Sequence, residues 1–142
     1  MSTGTNVGLV HRFYQALQQG DYDTLTGMFH PDFVFYPQID SPRPGGAGFI
    51  DAEKKHVDAF PDVRLTVLYT VAEAHKVGAY VVVEGHQGGD YYGIPPPTRA
   101  RGAHVRFSMF NLFTFKDGKI IEKRAHYNLA DIMDQLTAGS TS

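Results

Sequence analysis

The chain has 142 residues, enough for one domain with a single core and too few for two. Its 13 basic and 15 acidic residues leave a net charge near −2 with no basic cluster to follow a phosphate backbone, which excludes nucleic acid as a partner. Cysteine is absent, no apolar run is long enough for a bilayer, and MSTGTNVGLVHR lacks a signal-peptide layout, so disulfide scaffolds, thiolate chemistry and membrane partners drop out and the cytoplasm is the expected compartment.

Val7, Val10, Phe13, Tyr14 and Leu17 recur at helical spacing before Gly20, which predicts a first helix over 7–17. Asp21 is placed to cap a shorter helix with Tyr22, Leu25, Met28 and Phe29 on its buried stripe, and the strand PDFVFYPQ follows. Residues 40–48, DSPRPGGAG, read as a loop, and a third helix is expected from Phe49 to Phe60, stopping before Pro61. The apolar period then changes to two, giving strands over 63–72 and 77–86. GHQGGDYYGIPPPTRARG, residues 85–102, is dense in Gly and Pro and suits a loop over a pocket mouth, where Tyr91 would meet a ligand. A last helix over 129–136 precedes the tail 137–142, expected to be flexible, and the domain is expected to span 1–142.

Between that loop and the last helix runs HVRFSMFNLFTF, then KDGK, then IIEKRAHYN, an alternating ribbon around Asp117-Gly118, a pair that favours the tight primed turns. A regular hairpin places Phe115 opposite Ile120, Asn111 opposite Arg124, Met109 opposite His126 and Phe107 opposite Asn128. One face then carries Phe107, Met109 and Asn111 with Glu122, Arg124, His126 and Asn128, apolar at the turn and polar beyond it. Burying such polar groups is costly unless they are paired, so this face is expected to line a wet cavity. The other face, with Phe110, Leu112, Lys123, Ala125 and Tyr127, is a mixture suited to a homodimer contact. Helices followed by antiparallel strands indicate an α+β fold with helices packed on one face of a curved sheet.

Four stretches together carry a resemblance over nearly the whole chain: FYQALQQGDYDTL, AFPDVRLTV, GHQGGDYYGIPPPT and FKDGKIIE. The sequence resembles the SnoaL-like polyketide cyclases, which implies the cone-shaped nuclear transport factor 2-like fold, a curved antiparallel sheet wrapped around N-terminal helices with an internal cavity. The resemblance implies a cofactor-independent cyclase or isomerase of natural-product biosynthesis. The superfamily also holds lyases, epoxide-opening enzymes and non-catalytic binders. In the family an Asp on the last strand, seven residues before the Gln of a terminal Gln-Leu pair, is the base of an aldol closure. Counting back from Gln135 reaches Asn128, which cannot take a proton. Arg124 stands where a Trp is common, and the Pro-Thr-Gly-Arg run has become residues 97–102, PTRARG, in a longer loop.

His126, one pleat from Asn128, is the acid/base candidate, since imidazole titrates near neutrality. Asn128, Asn111 and Arg124 would hold a developing enolate, with Tyr36 and Tyr14 offering phenols and Phe107 and Met109 supplying wall. Glu84 and His86 share a strand face, as an acid/base pair or a solvated edge. Histidine and carboxylate spacings spell no metal site, and no glycine loop leads into a helix for phosphate. The expected partner is a small hydrophobic substrate, cyclised or isomerised by acid/base and hydrogen-bond catalysis. The alternatives are a carrier or sensor with the same cavity, an epoxide-opening cyclase or hydrolase, and an interaction module that dimerises through its sheet and has no real pocket.

Overall fold

The structure, a computed structural model, describes residues 3–95 and 103–138. Helices α1 (Thr3–Gln19) and α2 (Tyr22–Met28) lead into strands β1 (Phe29–Tyr36) and β2 (Arg43–Pro44), then α3 (Gly46–Ala59). Strands β3 (Arg64–Glu73), β4 (Lys76–His86), β5 (His104–Lys116) and β6 (Lys119–Tyr127) follow, and α4 (Leu129–Ala138) ends the described chain. The six strands form one curved, open sheet in the order β2-β1-β6-β5-β4-β3, antiparallel except where β1 lies parallel to β6. This is the expected α+β architecture. The short β2 and the start of α3 fall inside the stretch read as a loop over 40–48. Residues 97–102 and the end of the tail lie outside the described residues. No helix among the described residues is long and apolar enough to cross a membrane.

Local chemistry explains the helix boundaries. Gly20 has φ 70°, and the amides of Gly20 and Asp21 donate to Leu17 and Ala16 carbonyls, closing α1 through a left-handed residue where a Cβ would be strained. The Asp21 carboxylate then accepts from the Thr24 amide at 3.2 Å and the Thr24 hydroxyl at 2.6 Å. Those bonds cap α2 and lower the Asp21 pKa. The buried stripe of α1, Val10, Phe13, Tyr14 and Leu17, packs on the inner sheet face with Phe29, Phe33, Phe49, Val81 and Phe113. Phe13 sits edge-on to Tyr14, Phe29 and Phe113 at ring separations of 5.0, 6.3 and 5.3 Å.

A second apolar cluster joins Phe60, Tyr91, Ala103 and Val105 to Ile132 and Leu136 of α4. Asn128 caps that helix, its Oδ1 accepting from the Asp131 amide at 3.1 Å. Because β6 pairs with β5 only from Met109 to Lys116, the first residues of β5 have no strand on that side. There the Gln135 side chain accepts from the Arg106 amide at 2.7 Å and donates to the Arg106 carbonyl at 2.9 Å.

The β5–β6 hairpin departs from the regular register. Asp117 and Gly118 take φ values of 54° and 76°, as a primed turn requires, and Phe115 does face Ile120. One residue later a β-bulge leaves Ile121 without a partner, so Thr114 faces Glu122 and Phe113 faces Lys123. From that point the faces of β6 are exchanged: Leu112 pairs with Arg124, Asn111 with Ala125, Phe110 with His126 and Met109 with Tyr127. Glu122, Arg124 and His126 join the outer face, and Lys123, Ala125 and Tyr127 turn inward.

Candidate functional site

The inner face of the sheet, α1 and α3 enclose a cavity of about 350 Å³, which Tyr91 and Tyr92 also line. Phe13, Tyr14 and Leu17 of α1 and Phe49, Glu53 and His56 of α3 form one wall. Phe107 and Met109 of β5 with Lys123, Ala125 and Tyr127 of β6 form the other. Phe35 contributes from β1. The lining is largely aromatic with a few polar groups, the usual make-up of a small-molecule pocket.

Lys123 is the main polar group of the inner wall, only 4% exposed. Its Nζ lies 5.2 to 5.9 Å from the ring centres of Phe13, Phe35, Phe49 and Phe113, within cation–π range. It donates to Asn111 Oδ1 at 3.2 Å. Among the described residues no carboxylate reaches ion-pair distance of Nζ. Burial without a counter-ion disfavours the ammonium and pulls the Lys123 pKa down to about 8, against a smaller opposing pull from Glu53.

Four side-chain atoms are buried without a partner among the described residues, Asn6 Oδ1, Gln87 Oε1, the Tyr14 hydroxyl and Asn111 Nδ2, the last two beside Lys123 and the cavity. Leaving such groups unmade costs about 1–3 kcal/mol each, so a site that keeps them has donors held ready for something else. Burial, helped by the Glu53 charge, raises the Tyr14 pKa well above its ordinary value, so the phenol stays protonated. Tyr91 and Tyr92 stand edge to face at 4.7 Å in the lining, and burial raises the pKa of Tyr91 and of Tyr127. Glu53 is the half-buried carboxylate that acts on Tyr14, Tyr91, Tyr127 and Lys123 alike.

Of the residues singled out in the sequence, Tyr14, Tyr91, Phe107 and Met109 line the cavity, and Asn111 is buried behind Lys123. The bulge removes His126 and Arg124. His126 is exposed opposite Phe110 on the outer face, and Arg124 pairs with Glu122 at 2.7 Å and stacks at 3.9 Å on Tyr36, which the parity of Phe33 and Phe35 likewise turns outward. Asn128 is taken up by its capping bond and is exposed. Glu84 borders the cavity, with its carboxylate 3.9 Å from His104 and Arg106. The Asp62 carboxylate accepts from the His86 amide at 2.7 Å and meets the His86 ring nitrogen Nδ1 at 2.8 Å, which lowers the Asp62 pKa. Glu84 and His86 therefore have separate partners. The described residues contain no cluster of three or more His, Cys, Asp or Glu able to hold a metal.

Sequence reasoning missed Lys123, Glu53 and Tyr127. The signal for Lys123 and Tyr127 lay in the strand itself: Ile120, Lys123, Ala125 and Tyr127 make a far more buriable face than Ile120, Glu122, Arg124 and His126, and a single bulge after the consecutive isoleucines produces it. Glu53 sits one turn beyond Phe49 on the face of α3 that closes the cavity, a position the helical spacing already marked.

The profile of the SnoaL-like polyketide cyclase family matches residues 8–136. Among curated proteins none matches in sequence. Among solved structures, AclR of Streptomyces galilaeus, a candidate hydroxylase, superposes with a TM-score of 0.84 at 23% identity, over 96% of this chain and 83% of its own. TsrD of Streptomyces laurentii gives 0.82 at 25% identity, over 97% and 98%. An LEH-like epoxide hydrolase of M. tuberculosis gives 0.74 at 20%, over 96% and 92%.

Proposed function

For a chain that belongs to the SnoaL-like polyketide cyclase family, we propose a cofactor-independent cyclase or isomerase that acts on a small hydrophobic, carbonyl-bearing intermediate of the polyketide type. The observation that carries this reading is Lys123: an amine buried in an aromatic cavity, bonded only to an amide oxygen, with its pKa near the range where it can both take and return a proton. In its neutral form Lys123 removes a proton α to the substrate carbonyl. The enolate oxygen that develops is met by the Tyr14 hydroxyl, a donor in the cavity wall without a partner among the described residues, while Asn111 behind the wall holds Lys123 in place. The aromatic walls order a planar intermediate so that its reacting carbons meet, which replaces a chance encounter by a held geometry.

Asn128 at the family's Asp position does not serve as the base in this scheme, and neither does His126; the base has moved one strand face over, to Lys123. The whole chain is taken to work as one domain. It is also taken to pair with a second copy through the outer sheet face, where Tyr69, Val71 and Phe110 are 71%, 65% and 47% exposed. A monomer by sedimentation at micromolar concentration would remove that pairing.

The test is a panel of polycyclic and polyene ketones followed by mass spectrometry. Conversion to a ring-closed or isomeric product of unchanged mass, lost in Lys123→Met, supports the reading. Binding of such compounds without conversion makes the protein a carrier instead.

A further inference from the structure

Within the reading just given, the same amine has a second chemistry open to it. We propose that Lys123 forms a covalent imine with the carbonyl carbon of a hydrophobic aldehyde or ketone, because its Nζ stands in the wall of an aromatic cavity, bonded to Asn111 Oδ1 and to no carboxylate among the described residues. The substrate class follows from the cavity: a flat, largely apolar molecule that fits about 350 Å³ and carries one electrophilic carbonyl at its buried end.

The step balances without an oxidant or reductant. The Nζ lone pair forms the new C–N bond while the carbonyl π pair moves to oxygen and picks up a proton. The carbinolamine then loses its hydroxyl as water, with a proton, leaving C=N, and addition of water later restores the amine and the carbonyl. The imine nitrogen, once protonated, draws electrons from the neighbouring C–H more strongly than the carbonyl did. The resulting enamine is a carbon nucleophile for ring closure, with Glu53 on the facing wall to take the proton. Asn111 Oδ1 fixes the direction of Nζ, and burial away from water disfavours the ammonium and so favours the neutral amine.

The geometry also separates Lys123 from the other lysines. Lys54, Lys55, Lys76, Lys116 and Lys119 are exposed. At pH 8 about half of Lys123 is neutral, against less than about 1% of an ordinary lysine. An added carbonyl compound should therefore choose the buried amine, provided it enters the cavity.

The experiment uses the full chain at pH 8 with 2-naphthaldehyde and sodium cyanoborohydride, intact-mass analysis and peptide mapping. The expected result is a reduced adduct on the peptide that contains Lys123, beside any on the α-amino group that both proteins share, and absent in Lys123→Met, with the unmodified fold of that variant checked by circular dichroism. Adducts confined to the exposed lysines, equal in the wild type and in Lys123→Met, would overturn the imine. That outcome leaves the proton-carrier role standing, which fails on a different result: a ketone substrate turned over at the same rate by Lys123→Met.

Discussion

Lys123 and Arg124 are neighbours in sequence and opposites in surroundings. Arg124 has an ion-pair partner in Glu122 at 2.7 Å, an aromatic ring beneath it and access to water. Lys123 has four phenyl rings, one amide oxygen and almost no exposure. The same contrast holds at larger scale. At the far end of the sheet Asp62 and His86 satisfy each other and Glu84 lies 3.9 Å from His104 and Arg106, whereas on the inner side the Tyr14 hydroxyl and Asn111 Nδ2 satisfy nothing among the described residues. A polar group that is partnered costs the fold little, whereas one kept buried without a partner weakens it, and in a cavity wall it is open to a ligand.

The sharpest way to break this contrast is at Lys123 itself. Lys123→Met should lower turnover of a cyclised substrate by about 10²–10⁴-fold, the usual share of a general base, as read by product formation. The same variant should be more stable than the wild type at neutral pH by about 1 kcal/mol in urea unfolding. Loss of a charge-burial penalty of about 3 kcal/mol outweighs the unpaired Asn111 oxygen left behind. The folded-state pKa lies below the unfolded one, so the folded wild type binds fewer protons between about 8 and 10.5 and gains stability as pH rises through that window. The advantage of Lys123→Met should therefore shrink over the same interval, and a gap that stays constant with pH would mean the amine is not desolvated.

Turnover carries its own pH signature. If the neutral amine is the reactive form, kcat/KM should climb about tenfold per pH unit below about 8 and level off above it. A fall above pH 8 would show instead that the ammonium is the working form. Removing the lone phenol donor by Tyr14→Phe should cost about tenfold in kcat with little change in KM, because the hydroxyl is used as charge develops. The smallest effect belongs to the outer face. His126→Ala should leave turnover within about twofold, since a surface change away from the site is close to neutral. A large loss there would return the imidazole to the mechanism.

Much of the fold was legible because its signals are local. Asp21 and Gly20 punctuate the first two helices, the Asp117-Gly118 pair sets the turn, and period two marks β3 to β6. The aromatic wall was legible too, through Tyr14, Tyr91, Phe107 and Met109. What escaped was one residue of register. A bulge changes no composition and no propensity, yet past Ile121 it reverses which side chains are inside, and it turned Lys123 from an assumed outer residue into the centre of the cavity. The oddly polar inner face of a regular hairpin was itself the warning: Arg, His and Glu in a row are better explained by an exchanged face than by an unusually wet interior. Tyr36 failed by a different route, since the apolar parity of Phe33 and Phe35 already assigned it to the other side.

Gln135 gives the Gln-Leu pair near the end of the chain a meaning of its own. Its amide presents the one acceptor and one donor that a neighbouring strand would have offered Arg106, in effect a single residue of a seventh strand laid against the bare start of β5. Such an uncovered stretch is a template on which another chain can add, so the side chain works as a stopper against unwanted assembly. Leu136 seats the helix that delivers it. The distance from that pair back to Asn128 is the span of a capped helix that reaches the sheet edge.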